Sequence, residues 1–419
     1  MVLLAACGTL ERPTDALRIA PDQLVRVEDP RIRVDDPDKM ATLGEDFAAR
    51  LGTPGRDQSI LALSGGGANG AYGAGVLVGW TEHGDRPVFD IVTGVSTGAL
   101  AAPFAFLGPE WDEALRQAYV GGGADGLLSA RTFTLFGSPS LFSPRVLRRL
   151  VDDNVTPEML RRIALEHAAG RRLLVATTNL DSQETVIWDM GVLATQGDEA
   201  ALILFKDVLV ASASIPGVFP PVLIAGVTEG GEVAYEMHVD GGVNTPFLAV
   251  PEPMLLWTRP SGGRSSARLY VIINGQLGRQ DSITPGRIDG ILTRAYDTMS
   301  KTSLRTSLAV TAAFAGRNRM RLSMSAIPDN IAASSLRFDT ESMEALYELG
   351  RSRGASGTAW AGVNASGSAG PIVAPNDLAQ EDIPDALALP ESRPEPEPEP
   401  EPTVGSTSAS DQPADGPQL

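Results

Sequence analysis

The chain has 419 residues, 43% of them hydrophobic, and a net charge of −18. That length accommodates one large or two ordinary domains with a sizeable core, while acidity without a basic stripe excludes the electrostatic footprint of a nucleic-acid binder. Half of the charge is local, because from Glu381 onward ten carboxylates stand against Arg393 alone.

The single cysteine excludes an internal disulfide and a cysteine-based zinc site, and His83, His167 and His238 lack metal-ligand spacing. No metal and no cofactor are expected. No apolar run reaches the roughly 20 residues of a spanning helix.

At the N-terminus, Leu4-Ala5-Ala6-Cys7 resembles the lipobox of bacterial lipoproteins, in which the chain is cut before the cysteine and the cysteine is lipidated. The resemblance implies that Cys7 is lipidated and tethers the chain to a membrane surface in the bacterial envelope. Gly8 after the cysteine favours the periplasmic side of the outer membrane. Without lipidation of Cys7 the expected location is the cytoplasm. Residues 1–8 would be the remnant of a signal peptide, and because residues 1–6 are uncharged and short, the reading frame is expected to begin upstream.

Residues 9–58 are rich in Asp, Arg and Pro and read as an extended lead-in. A strand is predicted over 59–63, then a Gly-rich loop and a helix over 71–80; a second unit has a strand over 89–93, a tight turn and an apolar helix over 99–107. Residues 110–172 read as mostly helical, with Thr156-Pro157-Glu158 supplying a helix start. Strands follow at 173–178 and 185–188, a helix at 200–213, a Pro-rich loop at 215–221, strands at 233–239 and 269–273, and helices at 287–315 and 339–352. Strands alternating with helices imply an α/β fold with a mainly parallel sheet. The folded domain is placed at 59–354. Residues 355–419 are expected to be a disordered tail whose Pro-Glu alternation over 394–402 favours a stiff polyproline spacer. Deletion from Ala379 onward is therefore expected to be silent.

Gly94-Val95-Ser96-Thr97-Gly98 fits G-x-S-x-G between a strand and an apolar helix, as a nucleophile elbow requires. The helix that starts there aims its amides and positive dipole end at the serine. Gly65, Gly66, Gly67, Ala68, Asn69 and Gly70 form a second strand-to-helix loop. It satisfies G-x-G-x-x-G, but the next strand ends in Gly94-Val95-Ser96 rather than in a ribose-binding acid, and the loop has no P-loop lysine. Its glycine amides instead suit an oxyanion hole. No histidine follows His238, so the Ser-acid-His order of α/β-hydrolases is unavailable. His238 reads as a core or rim histidine, or as a support for Asp240 two residues on. Asp240-Gly241-Gly242 ends its strand with an acid beside two glycines.

The Gly-rich loop, G-x-S-x-G and Asp-Gly-Gly, in this order and spacing, resemble the patatin-like phospholipases over about residues 59–244. The resemblance implies a three-layer α/β/α fold and a serine acyl hydrolase acting on a lipid or other acyl ester. It also implies Ser96 as nucleophile, Asp240 as its base and the 65–67 amides at the oxyanion. Many relatives have Arg or Lys where this chain has Asn69, which bears on substrate preference. Residues 121–143 are apolar enough to line an acyl pocket, or to be ordinary core and loop. The other readings are a catalytically silent lipid-binding or scaffold protein and a nucleotide binder acting through the Gly-rich loop.

Overall fold

Eleven strands form one sheet in the computed structural model, which describes residues 23–389 apart from 26, 34–35, 53–57, 122–143, 259–266, 282 and 363–382. In chain order they are β1 (Gln23–Leu24), β2 (Arg31–Arg33), β3 (Ser59–Leu63), β4 (Ile91–Val95), β5 (Arg172–Asn179), β6 (Glu184–Asp189), β7 (Val222–Val227), β8 (Val233–Asp240), β9 (Arg268–Ile273), β10 (Arg321–Ala326) and β11 (Ala361–Gly362). The helices are α1 (Pro37–Gly52), α2 (Gly70–His83), α3 (Thr97–Leu107), α4 (Asp112–Val120), α5 (Pro144–Asn154), α6 (Pro157–Ala168), α7 (Met190–Gln196), α8 (Glu199–Ser212), α9 (Ile288–Arg317) and α10 (Thr340–Ala355).

The centre of the sheet, β5-β4-β3-β9-β10, is wholly parallel, and antiparallel strands extend it on both sides. Because side chains alternate along a strand, β3 sends Leu61 and Leu63 into one core and Ile60 and Ala62 into another. The first core is closed by α2, α3 and α10 among others, and the second by α1 and α9. This is the three-layer α/β/α arrangement, with strands buried on both faces as parallel sheets require.

The expected extended lead-in is corrected. α1 buries Met40, Leu43 and Phe47, an i, i+3, i+7 stripe, and β2 pairs with β6. Arg31, 2% exposed, reaches the equally buried Glu236 on β8 at 2.5 Å and is also bound by Asp29. A guanidinium is held at such depth only when it is fully paired, so this segment is part of the domain. Residues 1–22, with Cys7, lie outside the described residues.

The expected boundary at 354 is likewise too early. Leu387 is fully buried in a short 3₁₀ turn (Asp385–Leu387), and its carbonyl accepts the Ala332 amide at 2.7 Å. Deletion from Ala379 onward would therefore remove core and lower the melting temperature, contrary to the sequence reading. Leu387→Ala alone is expected to cost about 2–4 kcal/mol, measured by urea unfolding; a loss below about 0.5 kcal/mol would mean that the turn is not docked. The Pro-Glu segment at 394–402 lies outside the described residues.

Candidate active site

β5 brings the two candidate residues together through its register. β6 runs antiparallel along one edge of β5 from Leu174 to Asn179. The other edge is shared: β4 pairs with it over Arg172–Ala176, and β8 takes over at Thr177. Val95 lies opposite Ala176 and Asp240 opposite Thr177. The carboxyl ends of β4 and β8 thus meet head to head, 144 residues apart in sequence, and Ser96 Oγ donates to Asp240 Oδ2 at 2.6 Å.

Ser96 sits between β4 and α3 with φ 56° and ψ −127°, one of three non-glycine residues of positive φ among the described residues. Such a conformation costs about 1–3 kcal/mol and persists only where the surroundings enforce it. They do so here. The Ser96 amide donates to Ser212 Oγ at 3.0 Å, and that hydroxyl donates to the Ala176 carbonyl at 2.7 Å, tying the elbow to α8 and β5. Tyr119 on α4 donates to the Thr97 carbonyl at 2.6 Å. Gly94 and Val95 end β4, and Thr97 and Gly98 open α3. A Cβ on Gly98 would stand 2.4 Å from the Leu63 carbonyl oxygen, so the elbow can lie against β3 only without a side chain there.

Ser96 and Asp240 are 3% and 2% exposed. Asp240 Oδ1 accepts the Gly242 amide at 2.7 Å within the 3₁₀ turn Gly241–Val243. Burial pushes the Asp240 carboxyl up to about 7, against the opposing hydrogen bonds from Ser96 and Gly242.

The Gly-rich loop lies against the serine: a Cβ on Gly65 would be 3.2 Å from Ser96 Cβ. Its amides divide into two sets. Gly65 donates to the Pro246 carbonyl, Ala68 to that of Ser335, Asn69 to that of Gly66, and Gly70 back into the 3₁₀ turn Gly67–Asn69. Only Gly66 and Gly67 donate to no protein acceptor among the described residues. This narrows the six-residue expectation. Gly66, at φ 154°, passes so close to Asn274 that a Cβ would fall 2.0 Å from its carbonyl oxygen. Asn274 in turn accepts the Gly73 amide and donates to the Ser64 carbonyl, fixing the loop to the end of β9. Asn69 is buried, with no partner for Oδ1.

A cleft leads away from Ser96 and Gly67 between α3, α4, α5, α8 and α10, lined by Leu100, Phe104, Tyr119, Leu147, Val151, Leu209, Phe219 and Met343 among others. It is almost wholly apolar. The sequence reading missed this wall, although Leu147, Leu150 and Val151 have the spacing of an apolar helical stripe. Residues 122–143, expected to line it, lie outside the described residues. Ser212 was missed as well, because a helical serine has no distinguishing pattern.

None of the histidines bonds Ser96. His83 pairs with Asp85, and His167 lies 3.6 Å from Asp189. His238 is fully buried, its ring nitrogens meeting Thr177 Oγ1 at 2.9 Å and Glu236 Oε2 at 3.3 Å. The described residues contain no group of three His, Cys, Asp or Glu placed to hold a metal, and no described helix long and apolar enough to cross a membrane.

Residues 61–251, which contain both strand ends and both motif loops, match the family model for patatin-like phospholipase. This stretch is a patatin-like phospholipase domain. It is therefore a lipid acyl hydrolase domain in general terms, of esterase or lipase type. VipD from Legionella pneumophila is a structural neighbour, with a TM-score of 0.38 and 13% identity over 74% of this chain and 68% of that one. No curated protein matches the sequence. Around the patatin-like domain, β1, β2 and α1 precede the matched stretch, and β9, α9, β10 and α10 follow it.

Proposed function

We propose that this protein cleaves acyl esters of lipids with a Ser96–Asp240 dyad, using the Gly66 and Gly67 amides as its oxyanion hole. The 2.6 Å hydrogen bond between a strained, buried serine and a buried carboxylate carries this reading. Ser96 Oγ attacks the ester carbonyl carbon as its proton passes to Asp240 Oδ2. The carbonyl oxygen, now anionic, is met by the two uncommitted amides. Collapse releases the alcohol, which takes the proton from Asp240. Water then attacks the acyl-serine with Asp240 again as base, and the fatty acid leaves. A carboxyl near 7 suits both directions of transfer at neutral pH. The apolar cleft beside Ser96 accepts the acyl chain. Membrane anchoring through a lipid on Cys7, at the outer membrane, belongs to the same proposal; a stop codon directly before Met1 would remove it.

A fluorophosphonate probe is expected to label the wild-type chain and not Ser96→Ala. Labelling that persists in Ser96→Ala would move the nucleophile elsewhere. Absence of labelling in a folded wild type would favour a silent lipid-binding protein on the same fold.

A further inference from the structure

The 30-residue helix α9 carries an apolar stripe that the core uses and, on another side, an uncharged stripe that it leaves exposed. Leu304, Leu308 and Phe314 are buried in the second core. On the other side, positions 291, 295, 299, 302, 306 and 310 follow one another at intervals of three or four, and all are exposed. They hold Ile, Ala, Met, Thr, Thr and Val. Ile291 is 51% exposed and Met299 72%, and Ile283, just before the helix, is 97% exposed. A solvent-facing stripe of a helix ordinarily carries charge; this one carries none over five turns.

Its flank is basic. Arg294, Lys301 and Arg305 are spaced seven and four residues apart and run along one side of the stripe, with Asp297 beside Arg294 and Lys301 on the side away from it. Arg294 and Lys301 are steadied by the Gln280 and Gly278 carbonyls. An uncharged exposed stripe with arginines beside it, in a chain whose net charge is −18, offers apolar contact and positive charge together, which suits an anionic lipid interface. A second copy of so acidic a chain is the poorer complement. The helix also borders the site: Tyr296, between those two basic turns, packs against the first core, and burial together with the nearby Asp240 carboxylate pushes its phenol up.

We propose that the exposed stripe of α9, Ile291 to Val310 with Arg294, Lys301 and Arg305 beside it, docks the protein on an anionic lipid surface next to its catalytic site. The proposal rests on the lipid-hydrolase reading and is independent of Cys7. The test uses the full chain without N-terminal lipid, sedimented with vesicles of equal phosphatidylglycerol and phosphatidylcholine or of phosphatidylcholine alone. Wild type is expected to sediment with the anionic vesicles. Ile291→Glu/Met299→Glu should weaken binding at least about tenfold, and Arg294→Gln/Arg305→Gln by about fivefold per charge removed. Turnover of a soluble short-chain ester is measured in parallel. Normal ester turnover with no vesicle binding, or equal binding by the Glu variant, would overturn the docking face and leave the hydrolase reading standing. Vesicle binding without ester turnover by wild type would do the reverse. A wild-type dimer dispersed by the Glu variant, with no vesicle binding, would make the stripe a self-interface and also overturn the proposal.

Discussion

Asp240→Asn is expected to lower kcat by about 10²–10⁴-fold, whereas alanine at His83, His167 or His238 should leave it within about tenfold. Asparagine keeps the size of the side chain and can still accept the Gly242 amide, but it cannot take the Ser96 proton. His83 bonds Asp85, His238 bonds Thr177 and Glu236, and His167 lies 3.6 Å from Asp189. His238→Ala strands Thr177 and the carboxylate held by Arg31, so its activity is compared at equal folded fraction by circular dichroism. A folded His238→Ala as inactive as Asp240→Asn would replace the dyad with a histidine relay. The pH profile alone does not separate the two. With its carboxyl raised to about 7, Asp240 as base gives a kcat/KM that falls as pH drops below that value, in the range of an ordinary imidazole. The limb should persist unchanged in all three histidine variants.

The catalytic core of the fold was legible because its signals are local. Residues 59–63 and 89–98 combine an apolar run, glycines and an apolar helix, and β3, β4 and α3 appear there within two residues of expectation. The head-to-head meeting of β4 and β8 on one edge of β5 was not legible, since no residue of β5 encodes which strand it will pair with. β7 has no counterpart in the sequence reading, because its residues, Val222 to Val227, directly follow the Pro-rich loop and lack alternation. β10 was overlooked although Leu322, Met324 and Ala326 alternate, as Arg and Ser between them lower the local hydrophobicity. The lead-in was misjudged for a related reason. Composition marked it as polar, but three apolar residues at helical spacing and one arginine with a buried acid 205 residues away are enough to dock it. In the Gly-rich loop, sequence offers six candidate donors; the proposal of Gly66 and Gly67 depends on which amides other carbonyls have already taken.

Asp240→Asn is further expected to unfold less readily than wild type at pH 8, by up to about 4 kcal/mol, and to show almost no gain at pH 4. The direction follows from the raised carboxyl. In the unfolded chain Asp240 titrates near about 3.9, and in the fold it is pushed to about 7 by burial, with only Ser96 and Gly242 to solvate its charge. Between these values the native state holds a proton that the unfolded state has lost, so wild-type stability declines as pH rises through this window. Above about 7 both states are ionised, and the whole difference in solvation counts against the fold. Asparagine never ionises and escapes it, while below pH 4 the wild-type carboxyl is neutral in both states and the two proteins converge. Urea unfolding of both proteins at pH 8 and pH 4 measures the effect. Equal differences at the two pH values would mean that Asp240 is solvated in the native state, and the carboxylate would then lack the dry setting that makes it basic enough to deprotonate Ser96. A gain confined to high pH, in a variant that has lost turnover, ties the instability of the site to its chemistry: the charge that burial disfavours is the one that accepts the serine proton.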